Sequence, residues 1–187
     1  MKKLIIFITL FMLFTCIGCS TTTTTTKVDV FDYLENDYLL IEFNGESSIK
    51  NSNIVLNSNI KLIKLQENHY RLEVSEEYLN EIGVNTNELT SVNTNNYEGS
   101  LDELVGKIDQ DFIALSLKRN DLFDIVETDG VLEGKISSSK MKSIFNVNIL
   151  NDAFIKISYN SQNKKIEKVE MNYETTNLNV SIVLNYQ

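Results

Sequence analysis

The feature that most constrains this chain is a two-residue alternation running through its last third. Ala153, Ile155, Ile157 and Tyr159 fall on one side of an extended segment, with Lys156, Ser158 and Asn160 on the other. Val169, Met171 and Tyr173 alternate in the same way with Lys168, Glu170 and Asn172, and Leu178, Val180, Ile182, Leu184 and Tyr186 form a third run. The polar stretches 161–164 and 174–177 separate the runs as turns. Because successive strand side chains point to opposite faces, the three runs predict an antiparallel meander with one apolar face and one wet face. Similar but shorter patterns predict strands at 38–43, 49–56, 60–65, 69–74, 111–117 and 131–136, giving about nine in all.

Short helices are expected between them. Ser100-Leu101-Asp102-Glu103 matches the S-x-x-E capping box, and Leu101, Leu104, Val105 and Ile108 follow at helical spacing. Ser139 or a neighbouring serine is placed to cap a second helix carrying Met141, Ile144 and Phe145 on one stripe. Residues 75–82 and 121–127 read as single or double helical turns, and the Asn- and Thr-rich stretch 83–99 reads as a long loop. The fold class expected is α+β: a mainly antiparallel sheet, curved or half-barrel in form, with a few short helices packed on one side. A chain of 187 residues with 42% hydrophobic residues and no proline suits one such domain.

The N-terminus has a different character. Lys2 and Lys3 precede an uninterrupted apolar run over residues 4–14, too short for a bilayer span and of signal-peptide length. The sequence Thr15-Cys16-Ile17-Gly18-Cys19-Ser20 then resembles the lipobox of bacterial lipoproteins. By that resemblance residues 1–18 are a signal peptide, Gly18 is the last residue cleaved, and Cys19 is the lipid acceptor. Cys16 stands where that family usually has an aliphatic residue, and with Leu13 three positions before it Cys16 is an alternative acceptor. An uncleaved N-terminal membrane helix and plain secretion are the other readings of the segment. Residues 19–27 comprise the lipidated cysteine and a threonine-rich tether of about 25 Å when extended. Residues 28–187 are then expected to form one β-rich domain on the extracytoplasmic face of the cell membrane.

Chemistry enters mainly by exclusion. No cysteine follows Cys19, so the domain has no thiol nucleophile, no internal disulfide and no thiolate metal site. A formal charge of −9, with 17 basic against 26 acidic residues, argues against a nucleic-acid partner. Phosphate-binding and zinc-protease motifs do not occur. His69, the one imidazole, falls on the polar side of its strand beside Arg71 and Glu73, as an exposed strand histidine. Ser139-x-x-Lys142 and Ser161-x-x-Lys164 fit S-x-x-K without its companion motifs. The acidic groups Asp29, Asp32, Glu35, Asp37 and Asp102, Glu103, Asp109, Asp111 lack the spacing of a calcium loop. No enzyme activity, cofactor or metal is expected.

The segment from Gly130-Val131-Leu132-Glu133-Gly134-Lys135-Ile136-Ser137 through the Met141 helix to the last three strands resembles the closing section of LolA-like and LppX-like lipoproteins. The resemblance covers about 58 residues and implies a curved sheet, closed on one side by helices, around a cavity for lipid or acyl chains. Phe31-Asp32-Tyr33-Leu34 and Ile41-Glu42-Phe43-Asn44-Gly45 are similar to the opening of small domains in surface lipoproteins of low-GC Gram-positive bacteria. No site residue transfers from either family. The apolar face formed by Ile155 and Ile157, by Val169 and Met171, and by Val180, Ile182 and Leu184 reads either as core or as the wall of such a cavity. The functional expectation is a non-enzymatic module binding a hydrophobic ligand such as a lipid. The alternative is a surface protein contacting wall or envelope partners. Replacing Cys19 with Ala is expected to abolish metabolic lipid labelling, and labelling that persists would make Cys16 the acceptor.

Overall fold

The computed structural model describes residues 29–81, 87–105 and 117–187. Cys16, Gly18 and Cys19 lie outside them, as do the threonine tract and most of the expected strand 111–117. The described chain opens on Asp29, whose carboxylate accepts from the Phe31 amide at 3.3 Å and starts a 3-10 helix, Val30–Glu35. Its apolar residues Val30, Phe31, Tyr33 and Leu34 are all buried.

Nine strands follow in one antiparallel sheet among the described residues. Strands β1 (Leu40–Ile49), β2 (Ile54–Gln66), β3 (His69–Glu81) and β4 (Asn87–Gly99) form one meander. Helix α1 (Leu101–Val105) and a 3-10 turn at Arg119–Asp121 come next in sequence. Strands β5 (Leu122–Thr128) and β6 (Val131–Ile136), helix α2 (Ser138–Phe145), then β7 (Ala153–Asn160), β8 (Lys165–Glu174) and β9 (Leu178–Tyr186) form the second meander. The spatial order is β4-β3-β2-β1-β9-β8-β7-β6-β5, so the two meanders join where the first strand pairs with the last. The sheet is open, with β4 and β5 at its edges.

Several expectations are corrected. Residues 83–99 were read as a loop, yet 87–99 are strand β4, in register with β3 from Tyr70↔Gly99 to Glu81↔Asn87. An edge strand is held largely by its backbone ladder and shows little alternation in its sequence. Tyr97, opposite Leu72, is its contribution to the core. Residues 75–81 are not helical turns but the continuation of β3 to Glu81, because β2 and β4 pair along that length, and Ile82 lies outside the described residues. Within 121–127 only Asp121 is in the 3-10 turn, and the remainder is β5. The separate strands 49–56 and 60–65 are replaced by a longer β1 ending at Ile49, a turn at residues 50–53, and one continuous β2. Asn51 takes a left-handed φ of 60° in that turn.

The core lies on one face of the sheet. Register places Ile60, Phe43, Leu184, Val169, Ile157 and Leu132 in one row across β2, β1, β9, β8, β7 and β6. All six are at most 5% exposed. Leu104 of α1, Met141 and Phe145 of α2, and the 3-10 helix join the same apolar cluster. Ser137 rather than Ser139 caps α2, accepting from the Lys140 amide at 3.3 Å, and Asn146 ends it with a φ of 55°. The α2 segment is thereby turned so that its apolar stripe reaches the cluster.

Gly45 sits opposite Ile182 and Ser58, on the core face of β1. A Cβ there would lie 2.8 Å from the ring of Phe43, which is itself only 3% exposed. Gly45→Ala is therefore expected to lower stability by about 1–3 kcal/mol through overpacking. The urea midpoint reads this directly, and an unchanged midpoint would mean that the Phe43 ring yields without cost.

Candidate functional site

Between the 3-10 helix and β1, the chain crosses the end of the sheet, and Tyr38 turns inward. Its hydroxyl donates to the Tyr33 carbonyl at 2.7 Å and accepts from the Ile166 amide at 2.8 Å, tying the helix to β8. Its ring meets Tyr186 edge-on, with centroids 4.9 Å apart. Burial pushes the Tyr38 phenol above its usual range against the opposing pull of the Ile166 hydrogen bond. Burial also raises Tyr186, whose hydroxyl has no hydrogen-bond partner among the described residues. Asn36 donates to the Lys164 carbonyl, and Asp37 pairs with Lys64.

These contacts frame a groove of about 390 Å³ between the end of the 3-10 helix, strands β1 to β3 and α1. Leu34, Tyr38, Ile41, Leu62, Tyr70 and Leu101 supply its walls, and Asn36 and Asp37 its polar end. Leu101 is held at the rim by the capping box. The Ser100 amide donates to Glu103 at 2.9 Å, and the Glu103 amide donates to the Ser100 hydroxyl at 3.4 Å. That bond lowers the Glu103 carboxyl below its ordinary range. Leu101 remains 38% exposed, an apolar side chain at an open mouth. A volume in this range, apolar walls and a few convergent polar groups suit a small amphiphilic or apolar ligand.

The residues singled out from the sequence fall elsewhere. Ile155, Ile157, Val169, Met171, Ile182 and Leu184 share one face, as their alternation required, and are packed in the core at no more than 3% exposure. Val180 is half-buried and borders a second groove. None of the seven lines the groove at α1. His69 Nε2 lies 3.8 Å from Glu98, which Arg71 engages at 2.8 Å. Ser139 is 3.0 Å from the Ser137 hydroxyl, whereas Lys142 reaches Asn146 at 2.7 Å, so the S-x-x-K pair is not assembled. Asp109 and Asp111 lie outside the described residues. Sequence reasoning did not assign Leu34, Tyr38, Tyr70 or Leu101 to a site. The usable signals were the capping box, which fixes Leu101, and the alternation that puts Tyr70 with Leu72.

No family model matches the chain, and no curated protein matches it in sequence. Among solved structures, the dehydratase domain from the CurK module of curacin polyketide synthase aligns with 84% of this chain and 77% of its own length. Identity in that alignment is 9% and the TM-score is 0.22. The dehydratase domain from the CurF module aligns with 82% and 77%, at 6% identity and the same TM-score. Similarity at this level carries neither fold nor function to this chain. Among the described residues, no helix is long and apolar enough to cross a membrane.

The two buried tyrosines generate a paired prediction. Tyr38→Phe takes the phenol from the Ile166 amide and leaves the Tyr33 carbonyl with the Asn36 amide alone, at 3.3 Å, and is expected to cost about 1–3 kcal/mol. Tyr186→Phe removes a hydroxyl that makes no bond and is expected to leave stability unchanged or slightly higher. Both phenols are raised in the folded state, so their contribution holds below about pH 10 and is lost as pH rises through the folded values. Denaturant titrations of both variants at neutral and alkaline pH check the ordering and the sign.

Proposed function

We propose that this chain is an extracytoplasmic lipoprotein, anchored to the cell membrane through Cys19, that binds a hydrophobic ligand such as a lipid without chemically altering it. The observation that carries this reading is the apolar groove at α1, with Leu101 at its mouth and Asn36 and Asp37 at its polar end. An acyl chain laid against Leu101 and Tyr70 would remove apolar surface from water, at about 25 cal/mol per Å². A polar head would remain beside Asn36 and Asp37. The curved form expected for the sheet suits this reading, since bending the strands toward the helices deepens the groove between them.

The tether places such a module within reach of its ligand. A lipid anchor with a polar, threonine-rich leash would hold the domain near the bilayer while its acidic surface keeps it from adhering to anionic headgroups. The alternative, a surface protein contacting wall components, is favoured by a separate polar groove on the opposite face of the sheet.

The test is extraction of the full chain purified from membranes, with mass spectrometry of lipids beyond the covalent anchor. A bound apolar ligand is expected in near-stoichiometric amount and is expected to fall at least about tenfold in Leu101→Glu. A wild-type protein that carries none and takes up no added fatty acid would overturn the proposal.

A further inference from the structure

The wet face of the sheet holds a feature that the apolar groove does not explain. Two depressions there, of about 430 and 320 Å³, share Glu46 and Ser181 and so form one continuous trough. Register defines its axis. Asn57 pairs with Glu46, Glu46 with Ser181, Ser181 with Asn172, and Asn172 with Phe154. This single row crosses β2, β1, β9, β8 and β7, a span of about 19 Å at the usual strand spacing. Asn59 and Asn44 form the adjacent row, with Ser75 and Val183 at its ends.

The chemistry along the trough is consistent. Carboxamides and hydroxyls dominate, each able both to donate and to accept a hydrogen bond. The Asn59 amide donates to Glu42 at 3.1 Å and to Asn44 at 2.7 Å, so these side chains are already oriented. Lysine and arginine are absent from the lining of both depressions among the described residues. An anionic ligand would meet Glu46 and Asp152, with Lys50 already paired to Glu174 at 3.0 Å, and an apolar one would strand the amides without partners. At one end stands the Phe154 ring, 39% exposed. A row of mixed donors and acceptors ending on an aromatic face matches a molecule with hydroxyls around its edge and C–H groups on its flat faces.

We propose that this trough binds a neutral oligosaccharide, laid across β2, β1, β9, β8 and β7, with Phe154 stacking on a sugar ring at one end. The length of the row favours an oligomer over a single sugar. The site is separate from the apolar groove, and either assignment stands or falls without the other.

The test uses the full chain in detergent micelles, titrated calorimetrically with neutral chito-, cello- and malto-oligosaccharides. At least one series is expected to bind saturably, more tightly as it lengthens, with a dissociation constant of about 1 mM or below. Phe154→Ala and Ser181→Tyr, which respectively remove the stacking face and fill the trough, are expected to weaken binding at least about tenfold. Leu101→Glu, in the other groove, is expected to leave it unchanged. Circular dichroism monitors folding, and Asn172→Ala, at a surface position, supplies a third reading should either trough variant unfold. Absence of saturable binding by every series overturns the proposal, as does wild-type affinity in the folded variants or a preference for anionic sugars.

Discussion

The pairing of β1 with β9 is the constraint on which the rest of the structure depends. Every other strand pairs with a neighbour in sequence, whereas this seam joins residues separated by most of the described chain. It runs from Ile41↔Tyr186 to Ile49↔Leu178 without a register shift. Beyond the strands, the backbone of Gln187 accepts from Leu39 at 2.8 Å and donates to Leu40 at 2.9 Å, locking the end of the ladder. A one-residue slip would set Phe43 opposite Val183 or Asn185 and turn the apolar residues of one of the two strands out of the core. The core row from Ile60 to Leu132 and the polar row from Asn57 to Phe154 both cross this seam. One register therefore sets both faces.

The division of chemistry between those faces follows from the pleat. On the core side, the sheet is covered by the 3-10 helix, α1 and α2, and the cover is incomplete near β1 to β3, where the apolar groove opens. On the other side no helix among the described residues covers the middle strands, and polar and charged side chains fill most of the positions. Ion pairs along the wet surface, such as Lys156–Glu133 at 3.1 Å and Lys135–Asp124 at 3.0 Å, are exposed and add little to stability.

How much was legible in the sequence depended on whether a segment buries one face. Strands β7, β8 and β9 alternate cleanly and were placed almost residue for residue, as was β6. The capping box at Ser100 fixed α1 because its signal is local hydrogen bonding. Strand β4 was missed because its Asn- and Thr-rich sequence carries little apolar period, and its partner β3 supplies what its own side chains do not. The end of β1 was missed for a related reason. Asn44-Gly45 is a pair that ordinarily marks a hairpin turn, yet here it runs straight through the middle of a strand. Pairing with β2 on one side and β9 on the other outweighs the local preference, and the Phe43 ring occupies the space that the glycine leaves. The candidate grooves were the least legible, since each is assembled from three or more strands whose adjacency only the register reveals.

That Asn-Gly pair also bears on the chemical lifetime of the protein. Asn-Gly is the dipeptide most prone to spontaneous deamidation, because an unhindered backbone amide can swing onto the asparagine side chain and close a five-membered imide. In β1 the strand is held extended between two ladders, and the Asn44 carboxamide is engaged by Asn59 at 2.7 Å. Neither the backbone nor the side chain is free to approach ring-closing geometry. The folded sheet acts as a preservative, and the clock runs mainly during the intervals when the seam is open. Conversion of Asn44 to aspartate or isoaspartate would add a negative charge, or an extra backbone atom, at the centre of the trough. Chemical ageing at Asn44 is thus coupled to opening of the β1–β9 seam.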